Sequence, residues 1–343
     1  MAVTSLAARL YAAVAAEPGN LAVSPHSVAV ALNLAAYGAR GRTRAEIEAV
    51  VAGAGQPVDG GEWVELSSAN RLFGQRGLGW TDDLGAMLSV VDYADEPAAR
   101  AAINEWTAQQ THDLIPEIVP GGVLDAETLL VLVNALYLKA AWDTPFHESS
   151  TSDADFHLAD GTVVRVPTML GHVGAAAGAG DGWRSARLPY VGGRLAMTVV
   201  LPDEGRLADV EARWDSLLEV TEHQRLELHL PRFTVRAAAR LGEVLSALGM
   251  PTAFTDEADF SGFTTDEQLK ISEVLHEAYV AVDEQGTEAA AATAVVMQRA
   301  GATPAPPVPF VVDRSFLFAI HSVDDSVPLF VGRVVDPLVD PRA

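Results

Sequence analysis

The sequence predicts a mixed α+β fold in a single domain spanning residues 1–343, and three observations predict it. Residues 129–139 form a nearly continuous apolar run containing Asn134, the pattern of a central strand buried on both faces. Residues 62–75 and 226–235 alternate apolar with polar side chains, as half-buried strands do. Between such strands lie blocks with helix start and stop signals, at residues 20–46, 98–114 and 241–249. No internal repeat or linker divides the chain.

Taken in order, residues 1–16 read as an amphipathic helix with Leu6, Leu10 and Val14 on one stripe. They lack a basic start followed by a compact apolar block, so no signal peptide is read there and a cytoplasmic location is favoured over a secreted one. Ser24 and Ser27 are N-cap candidates for the next helix, with Pro25 suited to its first turn. Gly38 stops that helix, and Thr43 with Glu46 predicts a capping box for the one after. Residues 53–61 are Gly-rich and predict a loop, followed by the strand at 62–75. The helix at 98–114 should place Ile103, Trp106 and Gln110 near one face. The strand around residues 195–201 ends at Pro202-Asp203-Glu204-Gly205, a turn by composition. Residues 226–235 alternate around Pro231, Gly249 ends a short helix, and residues 311–337 carry closing strands that include Phe316-Leu317-Phe318.

Composition excludes several functions. With 49% hydrophobic residues the chain can bury a sizeable core. A formal net charge of −23 argues against nucleic acid and anionic membranes, both polyanions. No apolar run reaches the length that spans a bilayer. There are no cysteines, which excludes disulfides, Cys-based zinc sites and thiol nucleophiles. Only Lys139 and Lys270 are lysines, against many arginines; coding bias and heat adaptation explain this equally well. His276-Glu277 begins like a zincin motif without the second histidine, and no Gly-x-Ser-x-Gly elbow or phosphate-binding glycine loop occurs. Asp153 and Asp155 could touch a cation, but a solvated loop is the simpler reading. No catalytic residue, metal or cofactor is expected.

The stretch from Asp283 to Pro309 stands apart. Its alanines, Ala289 to Ala292, favour a helix. As an extended strand, however, it would place Thr287, Ala289, Ala291, Thr293, Val295 and Met297 on one uncharged face, with Glu288 and Gln298 on the other. Both readings stand on composition alone.

The wording decides for the strand. Glu284-Gln285-Gly286-Thr287-Glu288-Ala289-Ala290-Ala291-Ala292-Thr293 closely resembles the hinge of inhibitory serpins, a family of suicide protease inhibitors. Asn20-Leu21-Ala22-Val23-Ser24-Pro25-His26-Ser27, Trp142-Asp143-Thr144-Pro145-Phe146, Ala258-Asp259-Phe260-Ser261-Gly262-Phe263 and Leu329-Phe330-Val331-Gly332-Arg333 resemble further phrases of that family, in its order, from about residue 20 to residue 337. The resemblance implies the serpin fold of the prokaryotic branch: a large, mostly antiparallel central sheet, further sheets, about eight to nine helices and an exposed reactive-centre loop at about residues 284–309.

It also implies a function, irreversible inhibition of a chymotrypsin-, elastase- or subtilisin-like serine protease by a monomer. The residues carried over are the hinge, Glu284 and Gly286 to Thr293; a polar cluster under the sheet centre, Ser24, Ser27, Asn134 and His276; and a cluster at the sheet top, Trp142, Arg232 and Glu284. The family's spacing from the hinge glycine implies a reactive bond at Ala300-Gly301, with Arg299 and Met297 as alternative cut positions. A non-inhibitory serpin-fold binding protein is the alternative, against which the hinge carries no bulky residue or proline from Gly286 to Thr293. Three departures stand out: the extra helix usual before the strand at 62–75 has too little chain, His112-Asp113 replaces a usual Gly-Lys, and Ser315 replaces a usual Pro.

Overall fold

A computed structural model describes residues 5–218, 222–287 and 306–339. The chain opens with α1 (Leu6–Val14), capped by Ser5, which buries Leu6, Leu10 and Tyr11. After β1 (Leu21–Val23), helix α2 (Pro25–Gly38) begins at Ser24, whose hydroxyl accepts from the Ser27 amide at 3.0 Å. Most of α2 is buried, as its nearly unbroken apolar sequence requires.

Helix α3 (Gly41–Val51) corrects an expectation. Its N-cap is Arg40, without a side-chain cap bond, and Thr43 sits inside the first turn. The Thr43 hydroxyl accepts instead from the Asp259 amide at 2.9 Å, and Glu46 pairs with Arg42 and with Thr252. Tertiary partners took both members of the expected capping box.

Next come β2 (Val64–Gln75), β3 (Leu88–Val91), α4 (Glu96–Gln110) and β4 (Leu130–Ala141). Helix α4 starts two residues earlier than predicted because Asp95 caps it, its side chain accepting from the Ala98 amide. It ends early because His112 and Asp113 take left-handed φ of 50° and 61°. Its buried line is Ala99, Ile103 and Thr107, whereas Gln110 is exposed. The strands β5 (Ser152–His157), β6 (Val163–Gly180), β7 (Trp183–Pro189) and β8 (Leu195–Pro202) come after it. Asp153 and Asp155 therefore lie on a strand, not a loop, and Arg165 reaches the Asp155 carboxylate and the Asp153 carbonyl.

The remaining elements are α5 (Leu207–Glu211), β9 (Glu222–Pro231), β10 (Phe233–Arg240), α6 (Gly242–Leu248), β11 (Glu273–Val282), β12 (Gly286–Thr287), β13 (Val308–Val311), β14 (Phe316–Ser322) and β15 (Pro328–Val334). Among the described residues this gives six α-helices and four short 3-10 helices. None of these helices is long and apolar enough to cross a membrane.

Two sheets organise the molecule. One has six strands in the order β10-β11-β12-β4-β2-β3, and β11 also pairs directly with β4. The other runs β1-β15-β14-β8-β7-β6-β9-β13, with β5 added on β6. Behind the six-stranded sheet, Leu130 and Leu132 of β4 pack into the core of α1, α2, α3 and α6, while Leu136 and Leu138 pack against the second sheet. In front, Val131, Val133 and Tyr137 meet Ile103, Ile115 and Val119 from α4 and the segment after it. Both faces of β4 are covered, which accounts for its apolar run.

Candidate functional site

The site lies along the seam between β4 and β11. These strands run parallel and pair directly from Glu273 with Val131 up to Tyr279 with Tyr137. Above that level β12 separates them, with Thr287 opposite both Val282 and Ala140 and Gly286 opposite Ala141. The seam is thus closed below and wedged open above by two residues.

Gly286 can occupy the wedge only as glycine. A Cβ there would lie 2.1 Å from the Ala140 carbonyl oxygen. The turn before it is fixed by Asp283, whose carboxylate accepts from the Gln285 amide at 2.8 Å and the Gly286 amide at 3.2 Å. Thr287 is buried and shares a 2.6 Å hydrogen bond with the Tyr190 hydroxyl, whose pKa burial pushes up. The Tyr190 ring stacks on Trp142 at 4.7 Å, and the Trp142 indole N–H donates to the Asp283 carbonyl at 3.0 Å. Main-chain bonds from Trp142 to Gln285 and from Phe146 to Glu284, both 2.9 Å, tie the same turn to the end of β4.

Glu284 anchors the turn from the other side. It is only 3% exposed, and one carboxylate oxygen accepts from Arg232 Nε at 2.8 Å, Arg232 Nη2 at 2.6 Å and the Thr151 hydroxyl. Burial pushes its pKa up, but the bonds from Arg232 and Thr151 outweigh burial and hold the carboxyl below its ordinary value. The structure therefore brings Trp142, Arg232 and Glu284 together. It adds Tyr190 and Thr151, which sequence reasoning missed.

Lower on the seam, Ser24, Ser27, Asn134 and His276 form one network. His276 and Asn134 are direct partners in the β4–β11 register. The Ser24 amide donates to His276 Nε2 at 3.1 Å, so the ring proton sits on Nδ1 and is donated to Asn134 Oδ1. Asn134 Nδ2 in turn donates to Ser27 Oγ and Asn70 Oδ1. Ser68 completes the network, bonding Ser27 at 3.2 Å and accepting from Asn70. Ser68 and Asn70 come from β2 and were also missed; only the pairing of Asn70 with Asn134 reveals them. Desolvation pushes the His276 pKa down to about 3, leaving the ring neutral.

The hinge residues Glu288, Ala289, Ala290, Ala291, Ala292 and Thr293, and the expected cut positions Met297, Arg299, Ala300 and Gly301, lie outside the described residues. Among the described residues no three His, Asp or Glu side chains are grouped to hold a metal ion.

The arrangement is that of a sheet with a strand partly entered. Residues 1–337 match the family model of the serpins, serine protease inhibitors. The chain belongs to the serpin family. This serpin is 34% identical to an uncharacterised serpin-like protein of Thermococcus kodakarensis, over 98% of this chain and 85% of that one. It is 34% identical to the leukocyte elastase inhibitor of Sus scrofa, over 93% of each chain. Among solved structures it is similar to Serpin48, a highly specific serpin of the insect Tenebrio molitor, with a TM-score of 0.85 and 30% identity over 96% of this chain and 94% of that one.

The geometry sets two expectations. His276 has its folded pKa below its ordinary 6.5, so the unfolded chain binds a proton that the folded serpin refuses. Stability is then greatest above pH 6.5 and falls as pH drops toward 3. Chemical denaturation at pH 7 and pH 5 should show about 2 kcal/mol more acid loss in the wild type than in His276→Gln; equal losses would refute the assignment. Gly286→Ala should expel β12, read as lost hydrogen-exchange protection at the amide of Thr287; retained protection would contradict the wedge.

Proposed function

We propose that this serpin is an irreversible suicide inhibitor of serine proteases, acting as a monomer in which residues 284–309 form the reactive-centre loop. The observation that carries the reading is β12, already seated between β4 and β11 and leading into a run of small residues. The loop's far end joins β13, which pairs with β9 in the other sheet. Cutting between these two attachments frees the first half of the loop to move.

In the proposed inserted state, continuing the register of β12 downward assigns each later residue a position. Glu288 falls between Ala281 and Lys139, on the front face, where the lysine supplies a counter-charge. Ala290 falls between Tyr279 and Tyr137, and Ala292 between Glu277 and Ala135, where the front is already filled. Thr293 falls between His276 and Asn134 on the back face. Its hydroxyl can donate and accept there, and so replaces the bond that the two side chains now make to each other. Alanines fit the tight levels; a hydroxyl fits the polar one.

Inhibition begins as ordinary proteolysis. The protease serine attacks the carbonyl carbon of the scissile peptide, Ala300-Gly301, with Arg299 or Met297 as alternative cut positions. The amine of the downstream residue leaves and an ester links the upstream half to the enzyme. That half enters the seam as a strand antiparallel to both neighbours, drags the protease along the sheet and distorts its active site before water can hydrolyse the ester. One parallel ladder is exchanged for two antiparallel ones. The net gain of roughly ten main-chain bonds at about 1 kcal/mol each is on the order of 10 kcal/mol. That is comparable to the whole stability of a typical domain, so the uncut serpin is metastable.

Incubation with elastase-, chymotrypsin- and subtilisin-like enzymes should give a complex that survives SDS, and mass spectrometry of the released fragment locates the bond. Loop cleavage should raise the melting temperature strongly. Nicked product, fully active enzyme and an unchanged melting curve together would overturn the proposal.

Thr287→Arg tests the order of events. Thr287 sits buried against Tyr190 at the head of the strand, so a charged residue there must bar entry to the residues behind it. The variant should be cleaved as a substrate and release active protease; an unaltered stoichiometry of inhibition would count against insertion through β12.

A further inference from the structure

The front of the six-stranded sheet is covered by α4 and by segment 111–124, which returns to β4. This cover is fastened on both sides of the seam. On the β2 and β4 side, Ser67 donates to the Gln110 carbonyl at 2.7 Å and the Arg71 guanidinium lies 4.7 Å over the Trp106 ring. His112 contacts Glu65 at 2.9 Å and sets its ring edge against Tyr137. On the β10 and β11 side, Arg236 Nη2 donates to the Glu117 carbonyl at 3.3 Å while its Nε donates to Glu277 Oε1.

Glu277 is unusual in this setting. It is fully buried, at 0% exposure, and Oε2 has no hydrogen-bond partner. A buried ion pair is weak as a source of stability, since desolvation offsets its attraction and an apolar pair of similar size often serves as well. The role left to the carboxylate is to hold the Arg236 guanidinium where it reaches the main chain of the covering segment.

We propose that Arg236 and Glu277 are positioning residues of a strap that fastens segment 111–124 across the closed seam and limits how fast the seam opens. The inference rests on the reading that a strand enters between β4 and β11. Admitting one strand moves β10 and β11 from β4 by about 4.8 Å. The ties of α4 to β2 travel with β2 and β4. The tie from Arg236 to Glu117 spans the opening, and a bond of 3.3 Å cannot follow a displacement of that size. It breaks before the strand passes.

The test separates rate from stability. The full-length serpin is incubated with a synthetic peptide of the sequence Thr287 to Arg299, and uptake is followed by native gel and by the rise in melting temperature. Arg236→Met/Glu277→Leu removes the strap without leaving a buried charge unpaired. It should melt at or above the wild-type temperature before peptide is added, yet take up peptide several-fold faster. Glu277→Gln should fall between the two, and Ser67→Ala, which loosens only the α4 side, should leave the rate unchanged. An unchanged rate in the double variant overturns the strap, as does acceleration that merely tracks a lower melting temperature or is shared by Ser67→Ala. If the wild type takes up no peptide and loop cleavage leaves its melting curve unmoved, strand insertion itself falls, and the strap with it.

Discussion

The parallel pairing of β4 with β11 is the constraint on which the rest of the molecule depends. From Glu273 to Tyr279 the two strands pair residue for residue, as burial of main-chain donors and acceptors in a sheet interior demands. Yet the same groups can be satisfied by any extended strand placed between them, because a β ladder reads backbone rather than side chains. A parallel pair is also slightly less stable per residue than an antiparallel one. The direct pairing of β4 with β11 therefore need not be the best arrangement the chain can reach, and the proposed function requires that it is not.

Three devices act on this seam, and they work by different physics. At the top, Glu284 buries its carboxylate against Arg232 and Thr151, so the turn carrying Gly286 and Thr287 is held from outside the sheet. In the middle, neutral His276 bonds Asn134 across the gap while Ser24 and Ser27 receive both residues from α2. In front, Arg236 reaches across to the main chain at Glu117. In the proposed insertion, the first device would admit a strand, the second would close around it, and the third would resist it.

How much of this was legible in the sequence depends on whether a feature is local. The run through Asn134 announced a strand covered on both faces because burial on both sides removes alternation. Ser24 announced a cap because its partner amide lies three residues on. Thr43 and Glu46 showed the same local signature and misled, since Asp259 and Thr252 from distant parts of the chain compete for those side chains and win. The early end of α4 was hidden in His112 and Asp113, residues that enter left-handed backbone far less readily than glycine. Of the expected hinge, only Glu284, Gly286 and Thr287 lie among the described residues, and the remainder stays an expectation from the resemblance. Trp142, Arg232, Asn134 and His276 were reached through the resemblance alone. Tyr190, Thr151, Ser68 and Asn70 could not be, because they join the site only through the register of neighbouring strands.

Register also explains why two seated residues matter more than their number suggests. Side chains on a strand alternate with a period of two, so a slip by one residue exchanges the faces of all the residues after it. Slipped by one, Glu288 would point back into the apolar core behind Leu136 and Leu138, and Thr293 would miss His276. In the proposed mechanism, starting such a strand from a free loop would leave that choice to be made during the race with hydrolysis. Thr287, already opposite Val282 and Ala140, has made it beforehand. Under the proposed insertion, each residue behind it would then have one place to go, and small side chains would be what that place admits.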